Sequence, residues 1–345
     1  MPATSSKIGV AGPPATHRLR RRGFVAALAA LGTALTFGPR EVLAGPKKPK
    51  KLKRVETDDK GVTLTFELDH APYGNGKGPW KDNTVIVFVP AYYRLPKGRK
   101  VDTLVHFHGH NATARLGLVS GRLREQLFDS KQNCILVVPQ GPKRATSSEG
   151  GRLDERGGLN RLLDEVMREI KRHYVGLQLE KSSVAGNKGL GYLALSAHSG
   201  GYKVAAKCCQ HGGTNVNEVY LFDALYGEEK TFERWLLKKK GVKGRGRHKI
   251  MSHYTAGCKK NNMDLLDALE RRGAKCYHEK KPGGLTRAQL SKGEAVFIHT
   301  PQKHGAVTFS YNNLRDCLYA SSFRRFVKSD WFKNKKKKRK IDRRG

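Results

Sequence analysis

A chain of 345 residues can hold one large α/β domain or two small ones. Its 38% hydrophobic content is modest yet ample for a single core, and the polar excess is mostly Lys and Arg. The formal net charge of +37 makes a surface that seeks polyanions, and no run after Phe37 is long and apolar enough to cross a bilayer.

At the N-terminus, Arg20-Arg21-Arg22-Gly23-Phe24-Val25 leads into an Ala-rich apolar run ending at Phe37. That run is short for a membrane span, and Val42-Leu43-Ala44 supplies small or modest residues before Gly45. The segment resembles a bacterial twin-arginine signal with Arg21-Arg22-x-Phe24 as its paired-arginine core. The resemblance implies cleavage after Ala44 and a periplasmic or secreted protein; an ordinary secretory signal or an N-terminal anchor is the alternative. In an oxidising compartment the six cysteines invite disulfides, and Cys258 with Cys276, which flank a helical segment, form the favoured pair. No C-x-x-C occurs, so nothing points to structural zinc.

Residues 45–60 read as a basic, Pro- and Lys-rich linker. Short β-branched runs then predict strands at Val62–Phe66, Thr84–Val89, Thr103–His108 and Cys134–Val138. The first two alternate and suggest an antiparallel pair; the later ones are continuous apolar runs, as in strands buried on both faces. Leu159, Leu162, Leu163, Val166, Met167 and Ile170 share one face of a helix. A strand into Ser199, a helix through Cys209, a strand at Val219–Phe222 and a helix at Phe232–Lys240 follow. Then come a strand at Ile250–Thr255, a helix around Met263–Leu269, a strand at Ala295–Ile298 and a closing helix from Leu314 to Val327. Lys280 to Gly293, rich in Gly and Lys, suggests a mobile flap. The alternation predicts an α/β fold: a mostly parallel central sheet with helices on both faces and antiparallel strands at the N-terminal edge. Residues 61–330 make the catalytic-size domain, and 331–345 a like-charge tail that cannot bury enough to fold.

Within this order, Leu193 to Gly201 ends an apolar run at Ser199-Gly200-Gly201 and restarts as a helix at Tyr202. A strand turning sharply into a helix lifts a serine hydroxyl off the backbone and aims the helix N–H groups at whatever it attacks. Asp223 ends the next strand, and His304 lies in the loop after the last one. Functional groups collect at such carboxyl ends of a parallel sheet. Each residue has a plainer reading: Ser199 also fits a helix cap and Asp223 a turn cap. His253 and His299 compete with His304 but sit within strand patterns, and His198 suits packing or orienting.

The order Ser199, Asp223, His304 on separate strand–helix junctions, with Ala197 in place of a first glycine, resembles the α/β-hydrolase superfamily over residues 60–330. His108-Gly109-His110-Asn111 resembles the family's His-Gly oxyanion segment. The resemblance implies a serine esterase or amidase needing no cofactor, acting on a small or polymeric acyl substrate. Its oxyanion donors would be the backbone N–H groups of Gly109 or His110 and of Gly200. The chemistry agrees. A serine hydroxyl needs a base to attack at neutral pH, an imidazole suits that task, and a buried carboxylate fixes its tautomer.

Two other readings remain open at this stage. His106, His108 and His110 alternate, so in an extended strand they would share a face and could hold a metal. The basic runs at Lys47–Arg54, Lys238–Arg247 and Lys333–Arg344 suit a tether to an anionic envelope polymer or lipid surface, and a non-catalytic polyanion-binding envelope protein is the reading they would carry alone. They lack the interleaved aromatics of a nucleic-acid platform.

Overall fold

The computed structural model describes residues 51–74, 76–173, 188–334 and 336–338. The expected signal segment, the first part of the linker and the end of the tail lie outside the described residues. Ten described strands form one sheet: β1 Leu52–Asp58, β2 Gly61–Glu67, β3 Thr84–Pro90, β4 Val101–Phe107, β5 Ile135–Pro139, β6 Leu190–His198, β7 Glu218–Phe222, β8 Lys249–Tyr254, β9 Cys276–Glu279 and β10 Ala295–His299. Their order is β1-β2-β3-β5-β4-β6-β7-β8-β10-β9. The pairs β1–β2, β2–β3 and β3–β5 are antiparallel. From β5 onward across the sheet every pair is parallel.

The helices are α1 Ala114–Ser120, α2 Leu123–Ser130, α3 Gly158–Arg172, α4 Tyr202–His211, α5 Glu229–Leu237, α6 Lys259–Arg271, α7 Arg287–Lys292 and α8 Asn313–Tyr319. Alternate residues of a strand leave on opposite faces, and both faces here are apolar. Val85, Val87 and Val89 of β3 join one core with the buried sides of α3, α4, α5 and α6. Ile86 and Phe88 join the other, with α1, α2, α7 and α8. The apolar stripe of α3 is buried throughout, from Leu159 to Ile170. This is the expected α/β architecture, a mostly parallel sheet covered on both faces with its antiparallel strands at the N-terminal edge.

Four local expectations are corrected. The basic linker gives way at Leu52 to β1, an edge strand whose charged side chains stay in solvent and whose backbone pairs with β2. The closing helix stops at Tyr319 rather than Val327, because the following backbone has better partners: the Ser322 amide donates to Glu218 at 3.0 Å and the Arg324 amide to Asp102 at 3.3 Å. The Lys280–Gly293 segment is anchored, since Glu279 accepts from the Gly283 and Leu285 amides and α7 buries Leu290. Cys258 and Cys276 are free thiols. One follows the carboxyl end of β8 and the other opens β9, so they lie toward opposite ends of parallel strands, beyond disulfide reach.

At the amino ends of the strands lies a buried charge network. Asp102 pairs with Arg245 at 2.8 Å and Arg324 at 3.3 Å, while Glu218 accepts from the Tyr192 hydroxyl at 2.7 Å. Lys249 is fully buried, and its ammonium donates to the carbonyls of Leu290 and Ala320. Burial, reinforced by nearby Arg247 and opposed by Glu218, pushes its pKa down to about 7. The folded state therefore binds fewer protons than the unfolded chain between about pH 7 and the ordinary lysine range, so this residue's contribution favours folding as pH rises through that window. Thermal unfolding from pH 7 to 10 should show wild type gaining on Lys249→Met as pH rises; a constant gap would refute the assignment.

Candidate active site

β6 carries Leu193, Leu195 and Ala197 into one core and delivers His198 to its exit. Ser199 then takes a left-handed φ of 50°, a conformation uncommon for a residue with a Cβ, before a helical turn leads into α4. This strained corner turns the chain from strand to helix within a residue. Asp223, one residue past β7, adopts the same region with φ 44°. Its amide donates to the His253 carbonyl of neighbouring β8 at 2.7 Å, fixing the carboxylate over the sheet end. His304 opens a short helical turn beyond β10.

The three side chains meet. His304 Nε2 lies 2.8 Å from Ser199 Oγ, and His304 Nδ1 lies 2.6 Å from Asp223 Oδ2. With Nδ1 donating to the carboxylate, Nε2 is left to accept the serine proton. Asp223 is 1% exposed, whereas the His304 side chain is 45% exposed, so the imidazole faces solvent while its carboxylate partner is shielded. Burial alone would raise the carboxyl pKa of Asp223. Hydrogen bonds from His304, Cys258 and Thr255 outweigh it and hold the group well below the usual carboxylate range.

The holders of Asp223 were not legible in the sequence. Thr255 donates through its amide at 2.8 Å and its hydroxyl at 2.8 Å, the Cys258 thiol donates at 2.8 Å, and the Tyr226 hydroxyl lies at 3.4 Å. The junction Thr255-Ala256-Gly257 carries no carboxylate of its own and instead binds that of Asp223. His198 has the orienting place expected of it, with Nε2 3.0 Å from the His304 carbonyl. Burial lowers its pKa, so the neutral ring donates to that carbonyl and pins the His304 loop.

Gly109 and Gly200 are pressed against the serine corner. A Cβ on Gly109 would stand 2.8 Å from Ser199 Cβ, and one on Gly200 would meet the His110 ring at 2.2 Å. No protein acceptor takes the amide protons of Gly109, His110 or Gly200 among the described residues. The three alternating histidines do not converge. β4 ends at Phe107, so the shared-face rule applies only as far as His106. His106 is buried against Ser196 Oγ at 2.8 Å, and burial lowers its pKa to about 3. His108 donates from Nδ1 to the Gly109 carbonyl at 2.8 Å and accepts at Nε2 from the Gly141 amide at 2.9 Å. His110 reaches Ser148 Oγ at 2.8 Å. Each ring is committed elsewhere, and no group of three or more His, Cys, Asp or Glu among the described residues is placed to hold a metal. His253 is buried within β8, and His299 packs against Tyr254 with ring centroids 5.4 Å apart, so neither competes with His304.

No protein-family model matches the sequence, and no curated protein matches it. Solved structures that it resembles include a ferulic acid esterase, 13% identical with a TM-score of 0.45, covering 76% of this chain and 96% of that one. An S-formylglutathione hydrolase from Staphylococcus aureus is 10% identical with a TM-score of 0.44, covering 76% and 96%. A ferulic acid esterase from Anaeromyces mucronatus is 12% identical with a TM-score of 0.42, covering 80% and 91%.

The close approach at Gly109 gives a direct test of the corner. Gly109→Ala should lower kcat for any acyl substrate found by roughly 100-fold, because displacing Ser199 by a few tenths of an ångström upsets an aligned attack. Circular dichroism should show the variant folded at the assay temperature, and unaltered turnover would show that the contact is not felt.

Proposed function

We propose that this chain is an exported serine hydrolase that cleaves an ester or amide bond through an acyl-enzyme on Ser199. The observation that carries the reading is the unbroken chain from Ser199 Oγ to His304 at 2.8 Å and from His304 to Asp223 at 2.6 Å. In this reading His304 takes the serine proton as Oγ bonds to the acyl carbon, then returns it to the leaving alcohol or amine. Water repeats the sequence to release the acid. Asp223 holds the imidazole in the tautomer that leaves Nε2 free and stabilises the imidazolium. The amides of Gly200 and of Gly109 or His110 would bind the oxyanion, each such donor contributing roughly 3–4 kcal/mol to the transition state. Exposure of His304 supports a substrate that docks from the surface, whether a small ester or an acyl group on a polymer.

A fluorophosphonate probe tests the nucleophile. Wild type should be labelled at Ser199 and Ser199→Ala should not; equal labelling of the two, or none of the wild type, would sink the proposal. Export rests on the Arg21-Arg22 pair before the apolar run. Replacing both with Lys should retain the chain in the bacterial cytoplasm, as read by fractionation; undiminished delivery would remove the twin-arginine route.

A further inference from the structure

A hollow of about 560 Å³ opens at the amino ends of β8, β9 and β10, lined by Lys243, Arg247, Lys275, Lys292 and Glu294 among others. Ser199, Asp223 and His304 follow carboxyl ends in the same parallel array. A strand's length, roughly 17–20 Å, therefore separates this hollow from the proposed catalytic site.

The walls are built rather than incidental. Glu294 spends both carboxylate oxygens on backbone, accepting from the Gly241 amide at 2.6 Å and the Lys275 amide at 2.7 Å. It thereby ties two rim loops together. The Glu294 amide donates to the Lys275 carbonyl at 2.9 Å, and the Ile250 amide to the Glu294 carbonyl at 2.8 Å. Arg247 is fixed in the wall: its guanidinium donates to the Ser291 carbonyl at 2.6 Å and the Ala320 carbonyl at 3.3 Å, with its side chain 11% exposed. Lys243, Lys275 and Lys292 stand exposed around it. The Lys275 ammonium lies 5.9 Å from the centre of the Tyr277 ring rather than on a carboxylate. Three exposed lysines thus surround one hollow; the fourth lining cation, Arg247, is paired with buried Glu218 at 3.6 Å, and the lining carboxylate, Glu294, is already engaged.

Like charges gathered in a concavity with low-dielectric walls concentrate the field and repel one another until an anion enters. A flat basic surface would suit a duplex or a membrane, but this concavity admits only a compact group. Ammonium groups act on phosphoryl oxygens as point charges and need no fixed bidentate geometry, which suits three exposed lysines around one hollow. We propose that the hollow is a binding site for a compact anion carrying two or more phosphate groups. It gives the basic run ending at Arg247 a defined ligand and places that ligand away from the catalytic serine.

Calorimetric titration with tripolyphosphate at physiological ionic strength tests this on the full-length mature protein. Wild type should bind saturably at one site, and orthophosphate should bind at least tenfold more weakly. The double variant Lys243→Ala/Lys292→Ala should lose tenfold or more in affinity. Lys97→Ala/Lys100→Ala, which removes the same charge from exposed positions outside the hollow, should keep wild-type affinity. Circular dichroism melts establish that all three proteins are folded. Absence of saturable binding to folded wild type, or equal losses in the two double variants, would overturn the site in favour of general charge attraction.

Discussion

Asp223 is 1% exposed, yet it accepts hydrogen bonds from the side chains of His304, Thr255, Cys258 and Tyr226 and from the Thr255 amide. A buried charge is tolerable only when its lone pairs are met, and here they are met by three different elements. Thr255 follows β8, Cys258 precedes α6 and His304 follows β10. The carboxylate therefore joins the exits of β7, β8 and β10, and the position of His304 relative to Ser199 depends on it. His198 adds a second hold on the same loop from the strand that carries the serine.

The other end of the sheet uses the same physics for a structural purpose. Asp102 and Glu218 are wholly buried at the amino ends of β4 and β7. Their partners include Arg245, Arg247, Arg324 and the backbone of residues 322–324. This end therefore draws the segment after α8 across the strands instead of letting it continue as a helix. Part of the large positive charge is thus internal counter-charge for buried acids, and the lysines around the hollow of Lys243 and Lys292 belong to the remainder.

Much of this organisation is legible in the sequence. Continuous apolar runs mark strands covered on both faces, and the stripe of α3 shows its buried side directly. Ser199 and Asp223 stand out because each directly follows an apolar run, and His304 because it lies in the loop after the last strand. The features without a local signature share a cause. β1 is charged and held by backbone pairing, which leaves no hydrophobic period, and β9 is short and half-exposed at the far edge. Thr255 and Cys258 look like ordinary loop and helix residues until Asp223 is brought against them. The three histidines after Thr103 do not share a face, because alternation puts side chains on one face only while the strand lasts, and β4 stops at Phe107.

The sequence by itself determined the alternation of strands and helices, the two-faced core and which residues sit at strand exits. Those features are written in local periodicity and in the contrast between apolar runs and polar ends. Only the tertiary structure decided that Ser199 and His304, 105 positions apart, lie 2.8 Å from each other, and that Asp223 between them is held by Thr255 and Cys258. Strand order is the reason. β7 and β8 stand between β6 and β10, and the distance a loop must return to bring His304 back over Ser199 is fixed by that order and not by any local pattern.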